Sequence, residues 1–110
     1  MRHEKLICYQ DSLRLVQEVG QFIKSWPKGY GYLADQLKRA ASSVVLNLAE
    51  GNGRVGQAER RQFFRIALGS AAESCACLDL AEVLHLLPTR QIQTWQDSLK
   101  RIYSMISALR

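Results

Sequence analysis

The sequence predicts an all-α fold, an antiparallel up-down-up-down four-helix bundle. Two observations carry this. Four stretches place apolar residues three and four apart, the spacing that gives a helix one buried face. Short breaks separate them, and these hold both prolines, Pro27 and Pro88, and most of the seven glycines. At 110 residues the chain reads as a single domain, 1–110, long enough to bury a core.

The first helix is expected over about residues 4–25. Leu6, Tyr9, Leu13, Val16, Gly20 and Ile23 form one stripe, and Cys8, Leu15, Val19, Phe22 and Trp26 a second beside it. Trp26 and Pro27 end it, because the residue before proline avoids the α region. PKGYG is the turn. The second helix, about 32–50, contains QLKRAASSVVLNLAEG. Leu37, Ala40, Ala41, Val44, Val45 and Leu48 make its apolar face. Its small residues admit a close neighbour, and Gly51 is expected as its C-terminal stop. Charged and amide groups beside this face would be costly to bury unpaired. Arg39, Asn47, Glu50 and Glu73 are therefore expected to form a partly buried network between the second and third helices.

The third helix, about 57–87, follows the loop NGRVG, with Gly56 as N-cap and Glu59 near the positive helix end. Phe64, Ala67, Ala71, Ser74, Cys75, Leu78 and Ala81 make its inner face. Ala72, Ala76, Leu80, Val83 and Leu87 fall largely outside that face and predict an interface with another subunit. Pro88 breaks the chain and Thr89 is the natural N-cap of a fourth helix, about 90–109. Ile92, Trp95, Leu99, Ile102, Ile106 and Leu109 give that helix a narrow seam.

The chemistry-bearing residues exclude more than they select. Cys8, Cys75 and Cys77 have no Cys-x-x-Cys spacing, and the last two point apart on a helix, so neither a disulfide nor structural zinc is expected. Their use suits the cytoplasm. Glu82-x-x-His85 has the spacing of a di-iron ligand pair, but His3 is the only other histidine. No metal, no cofactor, no catalytic residue and hence no enzyme is expected. MRHEKLICYQ has no apolar signal core and nothing reads as a membrane span.

The runs WPKGYGYLADQLKRAASSVVLNLAEGNGR and ERRQFFRIALGSAAES resemble the four-helix-bundle family of 23S rRNA intervening-sequence proteins. That family carries an aromatic-Pro-Lys turn, Gln-Leu-Arg-Arg-Ala-Ala, Ser-Ile-Pro-x-Asn-Ile-Ala-Glu-Gly and Ala-x-Gly-Ser-x-x-Glu. Here these fall on Trp26 to Lys28, Gln36 to Ala41, Ser43 to Gly51 and Ala67 to Glu73. Val45 replaces the usual proline, which predicts a straighter second helix, and Gly56 replaces the usual serine cap. The resemblance implies a bacterial cytosolic homopentamer of mostly undefined activity. It also implies likeness to the accessory variability proteins of diversity-generating retroelements, basic pentamers that bind nucleic acid and a reverse transcriptase.

Two functions remain open. Fifteen basic against ten acidic residues leave +5, which permits nucleic-acid binding. The binding residues would be Lys38, Arg39, Arg54, Arg60, Arg61, Arg65, Lys100 and Arg101, with four arginines and one glutamate between positions 54 and 65. A ring would repeat that cluster around one rim. Alternatively the basic residues are a solvated face, or pair with Asp79, Glu82 or Asp97 of a neighbouring subunit, and the oligomer docks a protein partner such as a reverse transcriptase. The lack of exposed aromatics among the basic residues favours this second reading.

Overall fold

The computed structural model describes residues 3–109. Four α-helices account for most of them: α1 (His3–Phe22), α2 (Gly31–Gly53), α3 (Gln57–Val83) and α4 (Thr89–Leu109), with a 3₁₀ turn, Ile23–Ser25, after α1. No strand occurs among the described residues, and the arrangement is consistent with a four-helix bundle measuring 44 × 22 × 19 Å.

α4 follows its pattern closely. Ile92, Trp95, Leu99, Ile102 and Ile106 are all fully buried, while Leu109 packs half-buried against them. The Trp95 Nε1–H donates to Glu18 Oε1 at 3.1 Å, so the indole meets both its apolar and its polar requirement. The edge of Phe22 meets Trp95 at 5.3 Å, at 81° between ring planes. The two expected stripes of α1 are divided between core and solvent. Cys8, Leu15 and Val19 are buried together with Ile23, Lys5 and Ser12, whereas Leu6, Leu13 and Phe22 are exposed. The buried Ser12 hydroxyl bonds back to the Cys8 carbonyl at 2.9 Å. The Lys5 ammonium lies 5.9 Å from the Phe64 ring centroid.

α2 buries every residue of its expected face, and Leu33 and Gly51 besides. It does not stop at Gly51 but continues to Gly53. Gly51 is small for another reason: a Cβ there would lie 2.5 Å from Cε1 of the buried Phe64 ring. Gln36 pairs with Glu73, Ser43 with Ser70, and Gly51 sits beside Phe64, so positions rising along α2 meet positions falling along α3. These two helices share the most extensive packing of any pair. On α3 the inner face is Phe64, Ala67, Leu68, Ala71, Ser74, Cys77, Leu78 and Ala81, with Cys75 half-buried at its edge.

α3 ends at Val83, not near Leu87. His85 adopts φ 58°, the left-handed conformation. The Leu86 N–H then reaches the Ala81 carbonyl at 2.9 Å and the His85 N–H the Glu82 carbonyl at 3.1 Å. Together these bonds form a Schellman cap. Thr89 is not a cap either: it begins α4, and the Pro88 carbonyl accepts from Gln91 and Ile92 N–H groups at 3.0 and 3.2 Å.

Candidate nucleic-acid interface

The eight basic residues do not form one surface. Arg54 leaves α2 in an extended conformation, and its Nη2 donates to Glu50 Oε2 at 2.8 Å. Its Nε lies 3.9 Å from Glu59, and its guanidinium sits 5.0 Å from the Phe63 ring centroid. This arginine is held by two carboxylates and an aromatic face, so its charge is largely spent locally. Arg60 is half-buried, and its Nε has no acceptor among the described residues. Arg61 and Arg65 are exposed one turn apart on the second and third turns of α3, beyond the first turn where the positive helix end acts. The only partner of Arg65 among the described residues is the Gln62 amide oxygen at 3.2 Å.

The other four lie elsewhere. Lys38 is 3.8 Å from Asp35, and Arg39 is exposed beside it. Arg39 stands fifteen residues from Arg54 along α2, roughly 22 Å at the helical rise. Arg101 reaches Asp11 across to α1 at 3.8 Å. Lys100 borders a shallow groove of about 260 Å³ between α3 and α4, with Ala72, Cys75 and Tyr103. The compact part of the expected site is therefore Arg54, Arg60, Arg61 and Arg65, and Glu50 joins Glu59 as its counter-charge.

Arg39, Asn47, Glu50 and Glu73 do not join into one network. Glu50 turns to Arg54. Glu73 is exposed and accepts from the Gln36 amide, while Arg39 is exposed. The bridge between the helices is made by serines. The Ser43 and Ser70 hydroxyls are 2.7 Å apart, Asn47 Nδ2 donates to Ser43 O at 2.8 Å and to Ser43 Oγ at 3.0 Å, and Ser74 Oγ donates to Ser70 O at 2.9 Å. Serine reaches a partner across the closely packed seam without the long stem of arginine or glutamate. That is why the charged groups are displaced to the rim.

Ala72, Ala76, Leu80 and Val83 all face outward, with Leu80 51% and Val83 72% exposed. Leu87 is not on this face. The chain reverses at His85, and Leu87 packs half-buried against the core beyond the helix. Leu46 on α2 and Ile66 on α3 are also exposed. The sequence reading also missed an aromatic pair, half-buried Tyr30 beside exposed Tyr32. Tyr30 and Tyr32 lie 6.4 Å apart, and Tyr32 is 64% exposed. Two aromatics flanking Gly31, in a stretch free of acids, were the available signal.

The three thiols are all held toward their neutral form. Burial, with Asp11 adding to it, pushes Cys8 from 9.0 to about 11. Burial also raises Cys75 and Cys77, the first assisted by Asp79 and the second by Glu73. None is an activated nucleophile. Among the described residues no group of three or more His, Cys, Asp or Glu could hold a metal ion. Glu82 and His85 do not share a helix face, since His85 lies past the helix end. No helix among the described residues is long and apolar enough to cross a membrane.

The family model for the 23S rRNA-intervening sequence protein matches residues 4–108. A search of curated proteins finds no match to the chain. Among solved structures, a crystal structure at 1.70 Å is similar with a TM-score of 0.89 and 17% identity, covering 96% of each chain. It is a protein of unknown function from the S23 ribosomal protein family of Bacteroides thetaiotaomicron VPI-5482. At that identity the likeness speaks for the fold alone, and neither name indicates a reaction. The family match spans all four helices and every motif from the aromatic-Pro-Lys turn to Glu73, and the chain belongs to the 23S rRNA-intervening sequence protein family.

Proposed function

We propose that this is a non-enzymatic, cytoplasmic nucleic-acid-binding protein, an up-down-up-down bundle assembled into a homopentameric ring. The observation that carries the binding reading is the exposed Arg61–Arg65 pair in the N-terminal part of α3, with no carboxylate on either guanidinium among the described residues. Phosphates attract such groups through counterion release, with little base preference. One subunit offers few of these contacts, and a ring repeats them around a rim. The number five, and the likeness to the accessory variability proteins of retroelements, rest on the family resemblance.

The test is a fluorescence-anisotropy titration of duplex DNA and structured RNA at about 50 and 200 mM salt. Binding should weaken steeply with salt, and Arg61→Glu with Arg65→Glu should abolish it while the oligomer persists. No binding at low salt would favour the second reading, an adaptor that docks a protein partner such as a reverse transcriptase. That reading has its own support in the exposed apolar residues of α3, above all Leu80 and Val83.

A further inference from the structure

The connection between α1 and α2 has a composition and geometry that the Arg61–Arg65 surface does not share. From Val19 to Ala34 the chain carries two lysines, Lys24 and Lys28, and no acid. Both lysines are exposed. Pro27 to Tyr30 forms a tight turn, closed by the Tyr30 N–H on the Pro27 carbonyl at 3.3 Å, with Gly29 at φ 102°. That conformation is open to glycine at no steric cost, and it carries Lys28 at the tip of the turn. The Tyr30 carbonyl then accepts from Leu33 and Ala34 N–H groups, both at 3.1 Å, which starts α2. Both ends of the segment are anchored: Trp26 packs against the core, and Leu33 is fully buried. Burying Leu33 turns its neighbour Tyr32 outward, because successive residues on a helix point about 100° apart. Tyr32 lies beside Tyr30 with the rings inclined at 37°. The nearest following acid, Asp35, is bridged by Lys38 at 3.8 Å.

An exposed ring on a fixed backbone, with exposed cations four and eight residues before it that meet no carboxylate among the described residues, is the equipment of a single-strand binder. We propose that the segment from Lys24 to Tyr32 is a nucleic-acid surface of its own, which takes single-stranded RNA or DNA by stacking an unpaired base on Tyr32 while Lys24 and Lys28 hold the flanking phosphates. Charge selects this occupant over a proline-rich peptide, because an acid-free stretch with two lysines suits a polyanion and not an uncharged or basic ligand. The surface does not depend on the arginines of α3, so it stands or falls separately from the reading above.

The experiment uses the full chain and labelled oligouridylate and oligothymidylate strands of about 12 nucleotides, with a duplex of equal length beside them. Tyr32→Ala should weaken strand binding about tenfold and leave duplex binding unchanged. Tyr32→Phe should keep strand binding, since the ring stacks without its hydroxyl. Lys28→Ala should lower the salt slope of strand binding by about 0.7, the value for one phosphate on a single strand. With Arg61→Glu and Arg65→Glu the Tyr32-dependent part of strand binding should survive. Circular dichroism shows that each variant is folded. The proposal is overturned if the unmodified protein binds neither strand at low salt, or if Tyr32→Ala has no effect or weakens strand and duplex equally. Tyr32-dependent capture of a proline-rich peptide or an anionic vesicle, with no strand binding, overturns it as well.

Discussion

Gly51 shows how one residue can be read correctly for size and wrongly for purpose. A glycine after a helical run suggests a stop, but the helix runs through it and the ring of Phe64 occupies the place of its side chain. In a helix interior Gly→Ala normally stabilises by about 0.5–1 kcal/mol. At Gly51 the sign should reverse, because Phe64 is fully buried and has nowhere to go: Gly51→Ala should cost about 1–2 kcal/mol net of the helical gain. Gly20→Ala, where a Cβ meets nothing within 4 Å, is the internal control and should be stabilising. Denaturant unfolding of both variants decides the matter. Cys8 makes a second prediction. Its thiol stays neutral in the folded state up to about 11 but ionises from 9.0 once unfolded. Between those values the unfolded state binds fewer protons, so stability falls as pH rises through the window. Cys8→Ala should flatten that limb of the stability–pH curve. In the native protein a thiol reagent should reach half-buried Cys75 before Cys8 or Cys77.

At the scale of elements, the end of α3 is where the sequence misleads most. Nothing in LAEVLHLLPTR marks residue 84 as a boundary. Schellman caps favour glycine, and this one places a histidine at the left-handed position. Histidine tolerates that region better than most residues but still pays for its Cβ. His85→Gly should therefore raise stability by about 1 kcal/mol, seen as a Tm several degrees higher in a thermal scan. A fall in Tm would show that the imidazole has a role of its own. The α4 seam was fully legible, because Ile92 through Ile106 alternate without ambiguity and all are buried. The α2 face was equally clear. In α1 two adjacent stripes were read as one broad apolar face, and periodicity alone cannot say which of their residues face in. Lys5 and Ser12 are buried beside Cys8 and Leu15 with no apolar signal to announce it, and the exposed Leu6, Leu13 and Phe22 imitated a core. The basic cluster was visible as composition. Its pairing was not, since Glu50 reaches Arg54 from the end of α2 and lay outside the run of arginines that drew attention.

On the scale of the whole molecule, the outer side of α3 remains uncovered. Ala72, Ala76, Leu80 and Val83 follow one another along its length, and Leu46 on α2 and Ile66 on α3 are exposed as well. Among the described residues no helix covers them. If another subunit does so, Leu80→Glu should release smaller species in light scattering at micromolar concentration, and the isolated fold should survive because Leu80 is not part of the core. A monomer for the unmodified protein under those conditions would reject assembly. A ring with an odd number of subunits joins unlike patches, so a variant on the opposing patch should disrupt it as effectively.

The seam between α2 and α3 carries one more consequence, a kinetic one. Only Arg54, Val55 and Gly56 separate these helices, yet they share the most extensive packing in the molecule. Closing so short a loop costs little chain entropy, so this pair should organise the rate-limiting step of folding. In stopped-flow measurements Val44→Ala should then mainly slow refolding, whereas Ile106→Val on α4 should mainly speed unfolding. If the two substitutions exchange these effects, the chain begins folding elsewhere.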